Sequence, residues 1–388
     1  MRPLMTRVTT LAALLAVGAL PGAYAQQEAK LAKDPLNIAA PMIPKAATNT
    51  MLGATTAGNR LVAVGDRGVI ITSTDDGASW AQSKVPVSIT LTAVRFANPT
   101  LGWAVGHDGV VLNTTDGGLN WTRQLDGNGI NPQMIAAAKT KMEAAQAAAD
   151  AAPAAKKEAA MEALDNATRL FDDTEAGARF GPSRPLLDAW FKDANTGYVV
   201  GAYGQLLKTT DGGKSWNYIG AGINNFESLH YNALTGTQDG KVIVVGEQGR
   251  VYLSRDEGAT WKELPTGYKG HLYGAIATRS ASGADVIVAY GFRGNIFRLE
   301  GNGTQWTQVD SGTKESLVGS FVTPAGFIVL VDQVGRIIVS ADQGKTFIEF
   351  MKTSLPAVTG LTFNAGQSKV ALPGKGGVKM FDFAKQAK

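Results

Sequence analysis

The sequence predicts an all-β protein, a seven-bladed β-propeller that carries an α-helical hairpin between blades two and three. Three observations predict it. First, one phrase recurs along the 388 residues: V-G-x-x-G, a short apolar run, then S/T-x-D-x-G-x-x-W. It runs from Val64 to Trp80, Val105 to Trp121, Val200 to Trp216 and Val245 to Trp261. Weaker copies run from Tyr290 to Trp306 and from Val331 to Phe347, and a last fragment, Leu372 to Phe381, stops before its second half. Second, the second residue of each phrase falls at 65, 106, 201, 246, 291, 332 and 373, so most steps are 41 or 45 residues. Periods of that length with several short strands each mark propeller blades, because one small sheet cannot cover its own faces. Third, the single step of 95 holds an insertion of a different composition, rich in Ala and free of the phrase.

Each copy reads as four short strands, A to D, punctuated by Gly, Asn and Asp. In blade two they are expected at Thr92–Phe96, Gly102–Val105, Val110–Thr114 and Trp121–Leu125. The Asp-containing half falls on the C–D hairpin. There Asp75, Asp116, Asp211, Asp256 and Asp342 can accept backbone N–H bonds within the turn, and the following Gly supplies positive φ. Trp80, Trp121, Trp216 and Trp261, with Phe347 in blade six, offer a large face to the neighbouring sheet. Five carboxylates at one repeat position could suggest calcium ligands or catalytic acids. A single site has no use for five equivalent copies, so they are assigned to the fold, and no metal or cofactor is expected. In blade five Gly301 replaces the Asp while Trp306 remains, which suits a structural role.

The insertion spans about residues 126–186. Asn131-Pro132 is a helix-start signal. Ile135, Ala138, Met142, Ala145 and Ala149, then Met161, Leu164, Thr168 and Phe171 after Pro153, form two stripes of helical spacing. They predict an αα-hairpin whose Ala residues let the helices approach closely.

The chain ends carry their own signals. Arg2 and Arg7, the apolar run Leu11–Leu20 and Ala23-Tyr24-Ala25 describe a secretory signal over residues 1–25, with the propeller occupying 26–388. The apolar run is too short to span a bilayer, so a periplasmic or secreted protein is expected. Cleavage would lower the formal charge of +4 by two, leaving no basic footprint of the kind nucleic acid requires. The chain has no Cys, which excludes disulfides, thiolate metal sites and a lipid-attachment cysteine. Because the last copy lacks its D strand, the apolar stretch Leu36–Ile43 is expected to supply that strand to blade seven.

The S/T-x-D-x-G-x-x-W hairpins are similar to the Asp-box, or BNR, repeats of sialidases. The combined phrase resembles the photosystem II stability/assembly factor family over about residues 36–384, the insertion excepted. That resemblance implies a non-catalytic seven-bladed scaffold that assists assembly of a membrane-protein complex. Two features depart from it: the plain secretory signal without Cys, and the Ala-rich insertion.

Turn parity shows where a partner would bind. In a four-stranded meander the A–B and C–D turns share one face, and the B–C turns and D–A connections share the other. The V-G-x-x-G turns therefore lie with the helical insertion. They present Arg67, His107, Tyr203, Arg250, Arg293 and Arg336 as candidate partner-binding residues, the arginines able to grip carboxylates or phosphates. Asp66, Asp108 and Glu247 on the same turns could neutralise them. The expected partner is a membrane-protein complex, with no nucleic acid and no small-molecule substrate. An accessory role to an envelope transporter would use the same face. A sialidase-like glycoside hydrolase would need two of Asp66, Asp108 and Glu247 to act together, and residues 26–60 contain no Arg-Ile-Pro motif.

Overall fold

A computed structural model describes residues 34–280 and 282–383; the secretory segment lies outside them. Among the described residues the strands form seven antiparallel meanders, six of four strands and one of three. Strand A of each blade meets strand A of the next, and blade seven meets blade one, so the ring closes. Across that closure Thr359 Oγ1 donates to Met51 O at 2.9 Å, and Thr56 Oγ1 donates to Phe363 O. Blade two has its strands at Leu91–Phe96, Gly102–Gly106, Val111–Thr114 and Thr122–Leu125, within a residue of the positions read from the phrase.

One backbone bond explains the V-G-x-x-G pattern. The residue after the first Gly donates its N–H to the carbonyl just before strand A of the same blade. His107 N meets Thr90 O at 2.9 Å, Glu247 N meets His230 O at 3.3 Å and Phe292 N meets His271 O at 2.9 Å. The equivalent bonds in the other four blades leave from Asp66, Ala202, Gln333 and Lys375. For this bond to form the backbones must nearly touch. A Cβ added at Gly106 would lie 2.2 Å from Thr90 O, and one at Gly65 would lie 2.0 Å from Thr50 O. In blade seven the equivalent Gly is Gly374, so that repeat is one residue longer than the phrase spacing suggests. In blade six Asp332 takes the place of Gly, and its Oδ1 accepts from Val334 N and Arg336 N at 3.1 and 2.9 Å. The side chain supplies the turn that backbone geometry supplies elsewhere.

Adjacent blades are joined by apolar layers. Trp121 of blade two is buried with Val62, Val64 and Ile70 of blade one, and its ring meets Phe96 edge-on at 6.2 Å. Trp216 of blade three is buried against Trp103 and Val105 of blade two. Trp80 and Trp261 are half-buried in the corresponding layers.

The segment Leu36–Ile43 corrects one expectation. It adds no strand to blade seven, which keeps three strands at Thr362–Phe363, Lys369–Gly374 and Gly377–Asp382. Instead Pro35–Asn37 makes one 3-10 turn, with Asp34 accepting from Leu36 N. Pro41 has no N–H to give, and the N–H groups of Leu36, Asn37, Ala40 and Ile43 are taken by the turn itself and by blade one and its following connection. The segment runs as a strap across the outer strands. Arg123 of blade two donates to Leu36 O at 2.7 Å. Ala40 N bonds Val85 O at 3.0 Å, and Ile43 N bonds Gln82 Oε1 at 2.9 Å on blade one. The turn Ala46–Thr48 then reaches the last strand of blade seven. Leu36, 2% exposed, anchors it in the layer between blades one and two.

The insertion is a helical hairpin. Helix α1 spans Gly127–Ala151 and α2 spans Lys157–Ala178. Helix α1 begins earlier than Asn131-Pro132 suggests. Asp126 caps it by accepting from Asn128 N at 2.9 Å, and Pro132 lies inside. The Gly127-Asn128-Gly129 start has low helix propensity, and docking rather than propensity holds it. Ile130 and Met134 are buried against blades two and three, and Gln133 bonds Trp216 O and Tyr218 N on the outer strand of blade three. The buried line is thus Ile130, Met134 and Ala138, while Ile135 is half-buried and Met161 is exposed. Farther out, Ala149 and Ala167 are the buried residues, where the helices pack on each other.

Candidate functional site

The Asp hairpins are closed units. In blade three Asp211 Oδ1 accepts from Ser215 N and Thr209 Oγ1, both at 2.9 Å, and Oδ2 accepts from Ser215 Oγ at 2.6 Å. Thr209 Oγ1 in turn accepts from Gly213 N at 2.8 Å. Asp75, Asp116, Asp256 and Asp342 repeat the pattern. Side-chain and backbone bonds from Ser79, Ser215 and Thr260 hold the Asp75, Asp211 and Asp256 carboxyls at about 2. At Asp342 burial opposes the shift, but bonds from Thr346 and Ser340 prevail and it also lies at about 2. Asp116 is lowered against the same opposition by bonds from Asn120 and Thr114. Every one of these oxygens is already engaged by its own turn.

The opposite face, with the B–C turns and the hairpin, is built differently. At five turns a residue other than Gly sits in the left-handed region: Arg67, Asp108, Tyr203, Gln248 and Arg293, with φ between 55° and 57°. Each costs on the order of 1 kcal/mol relative to ordinary backbone. The closed turn imposes the conformation and turns Arg67, Tyr203 and Arg293 outward. Arg67, Arg293 and His107 are exposed, and Tyr203 is 50% exposed.

The four arginines do not form one free cationic patch. Arg250 pairs with Glu263 at 3.0 Å and Glu227 at 3.1 Å. Arg336 pairs with Glu349 at 2.8 Å and lies 3.8 Å from Asp332. Their partners sit on outer strands and connections, where the repeat phrase gives no sign of them. Arg67 makes no ion pair among the described residues. Arg293 has its guanidinium 5.2 Å from the Phe292 ring. Asp108 is pushed up by burial, partly offset by His107.

The structure brings together a different set. Across blades three to five a continuous polar and aromatic ridge crosses this face. Arg184 stands 5.5 Å from the Tyr203 ring, and Tyr203 meets His230 edge-on at 4.8 Å. His230 Nδ1 and His271 Nδ1 lie 3.9 and 3.6 Å from the same Glu247 oxygen, while Glu247 Oε2 accepts from His230 N at 2.8 Å. His271 then contacts Tyr273 and Phe292, at 6.2 and 6.5 Å between ring centres. Two of the three histidines thus occupy one repeat position, the residue before strand A, 41 residues apart. That 41-residue register is visible in the sequence, although neither histidine belongs to the repeat phrase. Among the described residues no three acidic or His side chains are arranged to hold a metal ion.

At the ring centre, strand A residues of all seven blades line a channel of about 670 Å³. Its charged element is the Arg95–Asp188 pair at 2.7 Å, with Asp188 raised by burial despite Arg95. No described helix is long and apolar enough to cross a membrane.

Comparison with solved structures agrees on the fold. The chain is similar to a structure titled "YCF48 bound to D1 peptide", with TM-score 0.56, 16% identity, and 88% of this chain and 95% of that one covered. YCF48 from Cyanidioschyzon merolae gives TM-score 0.58 and 14% identity over 89% and 98%. A Niastella koreensis GH74 enzyme gives TM-score 0.56 and 12% identity over 87% of this chain and 53% of that one. No curated protein matches the sequence. The profile of one family, however, matches residues 72–143 and 180–367, most of the ring, and leaves out 144–179, the end of helix α1 and all of helix α2. By that match the chain belongs to the family of the photosynthesis system II assembly factor YCF48.

Proposed function

We propose that this protein is a non-catalytic scaffold whose B–C face, with the helical hairpin, binds an exposed segment of a membrane-protein client during assembly. The observation that carries this reading is the ridge from Tyr203 to Arg293, which displays both side chains from left-handed turns beside the hairpin. Rigid, outward-held aromatic and arginine side chains are what protein interfaces use as anchors. The YCF48 structure bound to a D1 peptide supports a peptide-binding role for this fold within the family. We place the mature protein in the periplasm or outside the cell, beginning at Gln26, and N-terminal sequencing of the purified protein tests that.

Capture from detergent-solubilised membranes tests the central reading. Charge reversal at Arg67 and Arg293 together is expected to weaken capture with the ring still folded. So is replacement of residues 143–168 by a short Gly-Ser bridge, which spares the ring-facing residues up to Lys141 and from Leu170 onward. Two folded variants that capture the client like wild type would refute the face. The identity of the captured protein separates an assembly client from a transporter.

The GH74 neighbour shares the fold alone. Of the candidate carboxylates, Glu247 is already committed to His230 N. Absence of turnover with aryl glycosides and sialosides is the expected result.

A further inference from the structure

Between the root of the hairpin and the ring lies a pocket of about 30 Å³. A water needs about 10–15 Å³ by the same measure, so the space suits two oxygen-sized atoms. Met134, Ala138 and Leu170 form its helical wall, and Tyr203, Tyr218 and Tyr231 its ring wall. Its polar groups are unbalanced. Lys141 lines it, and no acidic side chain does.

Lys141 is half-buried, with Nζ 4.4 Å from the centre of the Phe226 ring, and it has no ion pair among the described residues. Burial pushes it below the usual lysine range. Tyr231 is 1% exposed, and among the described residues its hydroxyl makes no well-formed hydrogen bond, with only the Asn225 side chain beside it. A buried hydroxyl left in that state is unfavourable. Beside them Arg184, 8% exposed, donates to the carbonyls of Thr174 and Asp173 at 3.1 and 3.4 Å and also lacks an acidic partner among the described residues. One half-buried cation and a poorly bonded hydroxyl in a pocket that no carboxylate lines describe a site suited to an anion. The small volume and the mixed polar and apolar lining suit a carboxylate on a methylene or backbone stem.

We propose that this pocket receives a single carboxylate of an acidic peptide segment, with Lys141 as its charge partner and the Tyr231 hydroxyl as a donor. The proposal rests on the client-binding reading, since the pocket is lined by Tyr203, which is half exposed on the ridge. It gives that face a chemical selectivity.

Three acetylated tripeptides test it on the full-length mature protein. Gly-Asp-Gly amide carries a side-chain carboxylate, Gly-Gly-Gly with a free C-terminus carries a terminal one, and Gly-Asn-Gly amide is neutral. The reporter is the Lys141 side-chain NMR resonance. One or both acidic peptides are expected to shift it and raise its titration midpoint, and the one that binds more tightly identifies the source. The Asn peptide is expected to leave it unmoved. With Tyr fluorescence as the readout, Lys141→Met is expected to weaken acidic-peptide binding by about tenfold or more, as loss of a charge-assisted bond does. Tyr231→Phe is expected to weaken it less while preserving the fold, as thermal melting would show. Equal shifts by the Asn and Asp peptides, unchanged binding by folded Lys141→Met, or no response to either acid at tens of millimolar would overturn the proposal. Such a failure is separable from failure of the client reading. If wild type still captures a membrane protein and the truncated hairpin does not, the face stands and only the carboxylate site falls.

Discussion

Tyr203 and Arg293 hold backbone angles that Gly adopts freely and other residues avoid. The fold would be easier with Gly at both, which separates stability from binding at single residues. Tyr203→Gly and Arg293→Gly are expected to leave the melting temperature unchanged or slightly raised, because backbone strain relieved offsets the extra freedom of the unfolded chain. Both are expected to lose client capture. A marked drop in melting temperature for either would mean that the side chain serves the fold. The Asp hairpins behave oppositely. Asp75, Asp211, Asp256 and Asp342 lie at about 2 when folded, below the ordinary 3.8. Between those values the unfolded chain binds more protons, so their contribution is complete above about pH 4 and is lost as pH falls towards 2. Asp108 and Asp188, raised by burial, act in the other direction and favour the fold as acid protonates them. Asp211→Asn is therefore expected to melt lower than wild type at pH 6 and to differ less from it at pH 3. A difference that does not narrow would contradict this account of the turn. The Asp residues were legible in the sequence because each bonds atoms within four residues of itself. The neutralisation of Arg250 and Arg336 was not legible, because Glu227, Glu263 and Glu349 come from strands and connections that only the folded blade brings near.

At the scale of elements, the blades could be read almost residue by residue. Their turns are written locally, and a one-residue slip would turn every apolar side chain to the wrong face. The hairpin was legible in kind but not in register. Its start at Asp126 and its buried line through Ile130 and Met134 depend on blades two and three, which no periodicity within the helix records. Its outer half makes its buried contacts helix to helix, so replacing residues 143–168 is expected to lower the melting temperature by only about a few degrees. Global unfolding of that variant would show that the outer hairpin braces the ring.

For the whole molecule, closure follows from physics that the repeats do not contain. The strap from Asp34 to Asn49 crosses blades two, one and seven and fastens them from outside, so the last blade remains three-stranded. Deleting residues 34–45 removes the buried Leu36 and the bonds to Arg123, Val85 and Gln82. A cost of about 2–5 kcal/mol is expected from the lost core side chain alone, read as a lower urea midpoint with one cooperative transition. An unchanged midpoint would mean the strap is ornamental. The ring so closed presents two unlike faces. One consists of self-satisfied Asp hairpins, and the other carries the ridge, the hairpin and the pocket beneath it. The most direct test of this division places a photo-crosslinking residue in turn at His107 and Gln248, beside the anchors on one face, and at Ser79 and Thr346 on the other, in native membranes. Membrane-protein adducts from positions 107 and 248, with none from 79 and 346, are the predicted result; adducts confined to 79 and 346 would contradict it.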